Sequence, residues 1–194
     1  MTDYLIILAG YALLGAGIKY IDEAYDEHVF SKKIANVVAV LCIFIMGYLM
    51  LTDAPSMMIF LGMIIALILA KKIDNPAFYM GSAGVIPIPL IFNTSLNIEL
   101  LPFLALMLTG IMDEKGNDMA DAKKIKGVIR KFFKYRCAMK VGVLGLCVSG
   151  IFGFIYFIAF LMFDLMYYAV RVYSRNVAAR KIPFVRYMAS FIKF

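Results

Sequence analysis

The chain has 194 residues, of which 63% are hydrophobic and 17% charged, with 20 Lys and Arg against 13 Asp and Glu. Soluble domains carry an apolar share nearer half, and a globule of this length has too little interior to hide the surplus, because the buried fraction rises only slowly with size. The figures place the chain in lipid and exclude a secreted disulfide scaffold, a disordered tail and an ordinary soluble enzyme.

A spanning helix needs about 20 apolar residues. The first apolar run, Tyr4 to Ile21, has no cationic segment before it and is too long for a signal-peptide core, so it reads as a retained first span. The polar stretch Asp22 to Lys33 ends it. A second run covers Ile34 to Leu51, and Thr52-Asp53-Ala54-Pro55-Ser56 turns it tightly into a third, Met57 to Ala70, making a helical hairpin with almost no loop. The fourth run, Ala77 to Phe92, carries Gly81, Gly84, Pro87 and Pro89 and cannot be one regular helix. The fifth, Ile98 to Met112, is short and contains Pro102. After a charged stretch from Asp113 to Arg136 comes a single apolar run, Val141 to Val170, with Asp164 inside it. Its length gives about 45 Å of helix, more than one bilayer core and less than two. One long tilted helix is the preferred reading, and a hairpin broken at Gly150-Ile151-Phe152-Gly153 is the alternative. From Arg171 to Phe194 basic residues alternate with Tyr, Phe, Val and Ile, which suits a helix lying on the headgroups. The expected architecture is an all-α polytopic transmembrane bundle of six or seven spans over residues 1–170, followed by a basic interfacial tail over 171–194.

The basic surplus sits at the ends of the apolar runs. Positive-inside topology and attraction to anionic lipid headgroups account for it, and with no basic-aromatic module present nucleic acid is excluded as a partner. Lys and Arg crowd the first, third and fifth loops and are missing from the second and fourth. The odd loops are therefore expected to be cytoplasmic and the N-terminus outside the cell membrane. Six spans would put the basic tail outside too, against the same rule, which favours the broken reading of the last run. Cys42, Cys137 and Cys147 are odd in number and lie in or beside apolar segments, so they read as small buried hydrophobes.

On this topology ten of the thirteen acidic residues lie on the cytoplasmic side, nine in the odd loops and Asp164 counted near that level, more than orientation requires. If the first helix continues into its loop, Lys19, Asp22 and Asp26 share one face, and Glu114, Asp118 and Asp121 repeat a helical spacing in the fifth loop. Stacked carboxylates suit Mg²⁺, a hard cation commonly bound by one or two carboxylates plus substrate phosphates. Asp22, Asp26, Asp118 and Asp121 are the candidate metal ligands, and Lys71, Lys72, Lys123, Lys124 and Arg130 the candidate phosphate partners. His28, the single histidine, and Asp164, an ionisable residue within an apolar run, are the candidate catalytic groups. The alternative readings are solvated ion-paired loops without a site, a small transporter or channel with Asp164 in its pathway, and a non-catalytic assembly subunit.

The segment Asp22-Glu23-Ala24-Tyr25-Asp26 resembles the aspartate-rich motif of enzymes that ionise prenyl diphosphates, and Asn117-Asp118-Met119-Ala120-Asp121 resembles the NDxxD motif of UbiA-type membrane prenyltransferases. The resemblance covers about ten residues. It implies carboxylates that hold Mg²⁺ on a diphosphate leaving group. The expectation from sequence is therefore a membrane enzyme acting on a lipid or isoprenoid phosphate or diphosphate with a divalent metal at the cytoplasmic interface.

Overall fold

A computed structural model describes residues 3–73, 76–92 and 98–191, with side chains through residue 179 except those of Ala77 and Leu90. Asp74, most of the fourth loop and the side chains of the basic tail beyond 179 lie outside the described residues. Among the described residues every element is helical: α1 (Tyr4–Tyr25), α2 (Lys32–Thr52), α3 (Ala54–Leu69), α4 (Pro76–Val85), α5 (Pro87–Phe92), α6 (Leu100–Asp121), α7 (Gly127–Lys134), α8 (Cys137–Val148) and α9 (Phe154–Phe191). Three stretches are long and apolar enough to cross a membrane: α1, α2 and residues Phe154–Ala179 of α9. The helices α3 and α8 are apolar but shorter.

Local chemistry sets the boundaries. Only Asp53 separates α2 from α3. Its carboxylate accepts from the Ser56 N–H at 2.9 Å, capping α3 while Pro55 occupies the first turn, where a missing N–H costs nothing. The fourth run breaks at Ile86, because Pro87 cannot donate to the turn before it and disfavours helical backbone at the preceding residue. Pro102 sits in the first turn of α6, where a proline is tolerated, and α6 runs on past its apolar half to Asp121.

The preferred sequence reading of 141–170 as one helix is corrected. The helix α8 stops at Val148, and Gly150 (φ +77°) makes the left-handed C-terminal turn, its N–H donating to the Cys147 carbonyl and that of Ile151 to Leu146. The chain then reverses into α9. This last helix continues through Arg171 without interruption, giving roughly 57 Å of helix.

The broadest helix contact joins α1 to α9, and α3 to α6 is next. Small residues allow both. A Cβ at Gly15 would lie 2.0 Å from the Phe163 carbonyl oxygen, and one at Gly110 would lie 2.7 Å from the Ala66 Cβ. Such close backbone approach is how helices associate where lipid supplies no hydrophobic drive between them. The buried centre holds Tyr11, Leu14, Leu49, Met50, Met57, Ile59, Phe60 and Leu106.

Polar groups gather at two ends. At one, Tyr156 Oη donates to Asp53 Oδ1 at 2.5 Å, and deeper in Tyr11 Oη donates to the Ser56 hydroxyl at 3.1 Å, tying the α2–α3 turn to α9 and α1. At the other end α1, α3 and α6 finish and α2 and α8 begin. There Phe30 of the first loop stacks between Tyr20 and Tyr173, with ring centroids 4.4 and 6.1 Å away.

A candidate site at the charged end

Helix α1 continues into its acidic stretch as far as Tyr25, with the Asp26 N–H donating to the Asp22 carbonyl. The face shared by Lys19, Asp22 and Asp26 therefore forms as expected. Lys19 Nζ lies 2.5 Å from Asp22 Oδ2 and 2.8 Å from Glu23 Oε1, and 5.2 Å above the Tyr167 ring of α9. Tyr167 Oη is 3.5 Å from the same Asp22 oxygen. Lys19 and Glu23 are both buried, so each needs the other: a buried charge without a partner is costly.

On α6 the residues after the apolar half are divided by helical phase. Asp113 and Glu114 turn inward and are buried, whereas Asp118 and Asp121 are exposed. The Asp113 carboxylate accepts from the backbone N–H groups of Ala138 and Met139 at 2.8 Å each, supplying from another helix the cap that α8 lacks. Arg136, in left-handed backbone (φ +49°) at the start of α8, is thereby held beside Glu114 at 3.1 Å. Loss of hydration opposes the charge on Arg136, but Tyr167, Glu114, Asp22 and Asp113 more than offset it and hold its pKa above the ordinary arginine value.

Asp22, Glu114, Arg136 and Tyr167 line one end of a cavity of about 260 Å³. Its walls are apolar, from Ile18 and Ile21 of α1, Cys42, Ile43 and Met46 of α2, Ile64 and Leu67 of α3, Phe78 and Val85 of α4, and Phe163 of α9. Its charged end is formed by Asp22, Asp26, Glu114, Asn117, Lys72, Arg136 and Tyr167. A smaller cavity of about 60 Å³ shares Glu114, Arg136 and Tyr167 and is also lined by Asp113 and Asp164. Asp164 forms an ion pair with Lys140 of α8.

Of the residues selected from sequence, Asp22, Asp26 and Lys72 line the main cavity. Asp118 and Asp121 stand one step away: Asp118 pairs with Lys72, and Asp121 accepts from Asn117 Nδ2 at 3.4 Å, both partners being cavity residues. Lys71 and Lys123 do not line it. Each follows the last residue of its helix's C-cap in left-handed backbone (φ +56°), and the next residue's N–H closes the turn on Leu67 and on Met119 respectively. The repeated Ala-Lys-Lys-Ile of 70–73 and 122–125 is thus a helix-ending device that, at its first occurrence, aims Lys72 inward. Lys124 is exposed, Arg130 lies on α7, and neither lines either cavity. His28 is exposed in the first loop with φ +54°, away from the cavity lining.

Sequence reasoning passed over Arg136 and Tyr167 as site residues. Glu114, read with the stacked carboxylates, and Asn117, read in the NDxxD resemblance, line the cavity from the α6 face that also carries Gly110. Nothing local marks Arg136 or Tyr167, which tertiary packing brings in. Among the described residues no three His, Cys, Asp or Glu side chains cluster closely enough to hold a metal ion by themselves. No known protein family, curated protein or solved structure matches this chain.

Proposed function

We propose that the chain is a multi-pass integral membrane enzyme acting on a lipid or isoprenoid phosphate or diphosphate, with a divalent cation, Mg²⁺, at the cytoplasmic interface. The observation that carries the reading is the convergence of α1 and α6 carboxylates with Lys72 and Arg136 at the mouth of an apolar cavity. Such a site is amphipathic in the sense of its ligand: the head meets charge and the tail meets Ile, Met, Leu and Phe.

Charge counting supports the metal. The lining has three carboxylates against two cations, so a bare anion meets a net negative mouth. One divalent cation reverses that sign. Mg²⁺ is commonly held by one or two carboxylates plus phosphate oxygens, and Asp26 and Asp22 are the residues that would hold it here. Arg136 and Lys72 would orient the head through its remaining oxygens. The metal's contribution would be to neutralise charge on the phosphate and its leaving oxygen.

The same reading counts seven passes: α1, α2, α3, α4 with α5, α6, α8 and α9. An odd number places the basic tail on the cytoplasmic side, which removes the conflict that six spans create. The pairing of Asp164 with Lys140 supports a packing role for that carboxylate in place of an ion pathway.

Purified protein is expected to turn over a polyprenyl diphosphate only when Mg²⁺ or Mn²⁺ is added. Asp26→Asn is expected to lower that rate by at least about tenfold, as loss of even indirect metal contacts does. Metal-independent turnover, or full activity in both Asp26→Asn and Glu114→Gln, would overturn the proposal.

A further inference from the structure

The walls of the main cavity are not held alike. The pairs α1–α9 and α3–α6 pack along their lengths, whereas α4 packs chiefly against α2 and its own continuation α5. Both α3 and α4 line the cavity, and they share no broad contact with each other. On α4, a Cβ built at Gly81 meets no atom within 4 Å, while one turn further on, at Gly84, Ile43 already stands at 3.1 Å. Gly81 therefore borders open space within the lining, and Gly84 is the residue that seats α4 on α2.

Depth and volume limit what fits. Lys32 starts α2 at the charged end, and Met46 lies about 21 Å along the helix from it; from Pro76 to Val85 on α4 is about 13 Å. The cavity thus reaches to about the depth of one leaflet, half of a ~30 Å hydrocarbon core. A volume of about 260 Å³ is below the usual range for drug-sized ligands. At about 10–15 Å³ of enclosed space per water-sized group it has room for roughly 20 such groups, enough for one short isoprenoid chain and well short of the two long acyl chains of a phospholipid.

We infer that the cavity accepts the single apolar chain of a phosphate-headed amphiphile, admitted from the bilayer between α4 and α3, and that Gly81 is the specificity-determining residue that keeps this space open. The inference rests on the proposed reading for the phosphate head and adds the kind of tail. Two-chain phospholipids, the bulk of the surrounding membrane, are thereby kept out of a site they would otherwise saturate.

The test is binding by native mass spectrometry, with the protein in phosphatidylcholine nanodiscs and Mg²⁺ present, using three probes: farnesyl phosphate, phosphatidic acid and inorganic phosphate. Farnesyl phosphate is expected to bind at least tenfold more tightly than phosphatidic acid. Gly81→Leu, which projects a side chain into the open space, is expected to weaken farnesyl phosphate at least tenfold and to leave inorganic phosphate unchanged. Equal or tighter binding of phosphatidic acid to the unaltered protein overturns the inference without any variant. Unchanged farnesyl phosphate affinity in a folded Gly81→Leu protein overturns it as well. The two readings fail separately: chain-selective binding without Mg²⁺-dependent turnover removes the enzyme and keeps the inference, whereas turnover with a Gly81→Leu chain preference like that of the native protein does the reverse.

Discussion

Lys19 shows most directly how this molecule carries charge inside an apolar helix. Its ammonium serves two carboxylates of its own helix and rests on an aromatic ring of another. Lys19→Met keeps the side-chain volume but leaves Glu23 and Asp22 without their cation, and for Glu23 that is a buried loss. The variant is expected to be destabilised by about 3–5 kcal/mol, the usual cost of removing one partner of a buried pair. Thermal unfolding in detergent measures it, and adding Glu23→Gln is expected to recover part of the loss. If Lys19→Met melts with the native protein, the network contributes nothing to stability. At this scale the sequence was half legible. Asp22 and Asp26 could be selected because one helix carries both, so their relation is local. Lys71 and Lys72 could be selected only as a pair, since a left-handed cap residue decides which of the two faces inward. Arg136 escaped selection, because it depends on Asp113 holding the start of α8 against α6.

Among the elements, helix contacts made through glycine are the most sensitive points. An added methyl at Gly15 would meet backbone, the Phe163 carbonyl, which no rotamer change relieves. Gly15→Ala is expected to cost about 1–3 kcal/mol through forced separation of α1 and α9. Gly145→Ala is the control: it is exposed, helical and without a neighbour within 4 Å, so it is expected to gain about 0.5–1 kcal/mol from better helix propensity. Melting temperatures moving in the same direction for both would contradict the packing described. The element boundaries follow the same division into local and distant causes. The Asp53 cap and the Pro87 break lie in the sequence around them and could be read there. The reversal after α8 was harder, because thirty apolar residues look like one helix unless Gly150 is given the left-handed conformation it adopts. The amphipathic α7 was read as part of a charged loop; it packs its Phe133 over Gly116 of α6.

For the whole molecule, the composition was sufficient to assign the solvent, and the charge distribution was sufficient to gather the first, third and fifth loops. The structure brings those loops to one end: Lys72 of the third pairs with Asp118 of the fifth, and Asp22 and Asp26 of the first line the same cavity as Lys72 and Arg136. The proposed seven passes have a direct measurement. In a cysteine-free background, Ser31→Cys and Lys124→Cys are expected to react with a membrane-impermeant maleimide from one side only. Thr52→Cys and Ser149→Cys are expected to react from the other side only. Labelling of Ser31→Cys and Ser149→Cys from the same side would refute the pass count.

The contact of α1 with α9 has a consequence for synthesis. Chains emerge N-terminus first, so α1 waits through every intervening helix before the partner that its Gly15 is shaped for arrives. Contacts between such distant segments are slow to form, since the closure entropy of the chain between them must be met first. Until α9 docks, the cavity lacks the wall made by Phe163 and Tyr167, and Lys19 has no ring beneath it. The charged end of the cavity is therefore completed last, and a partly made chain holds Asp22 and Lys19 of α1 without Tyr167 beside them.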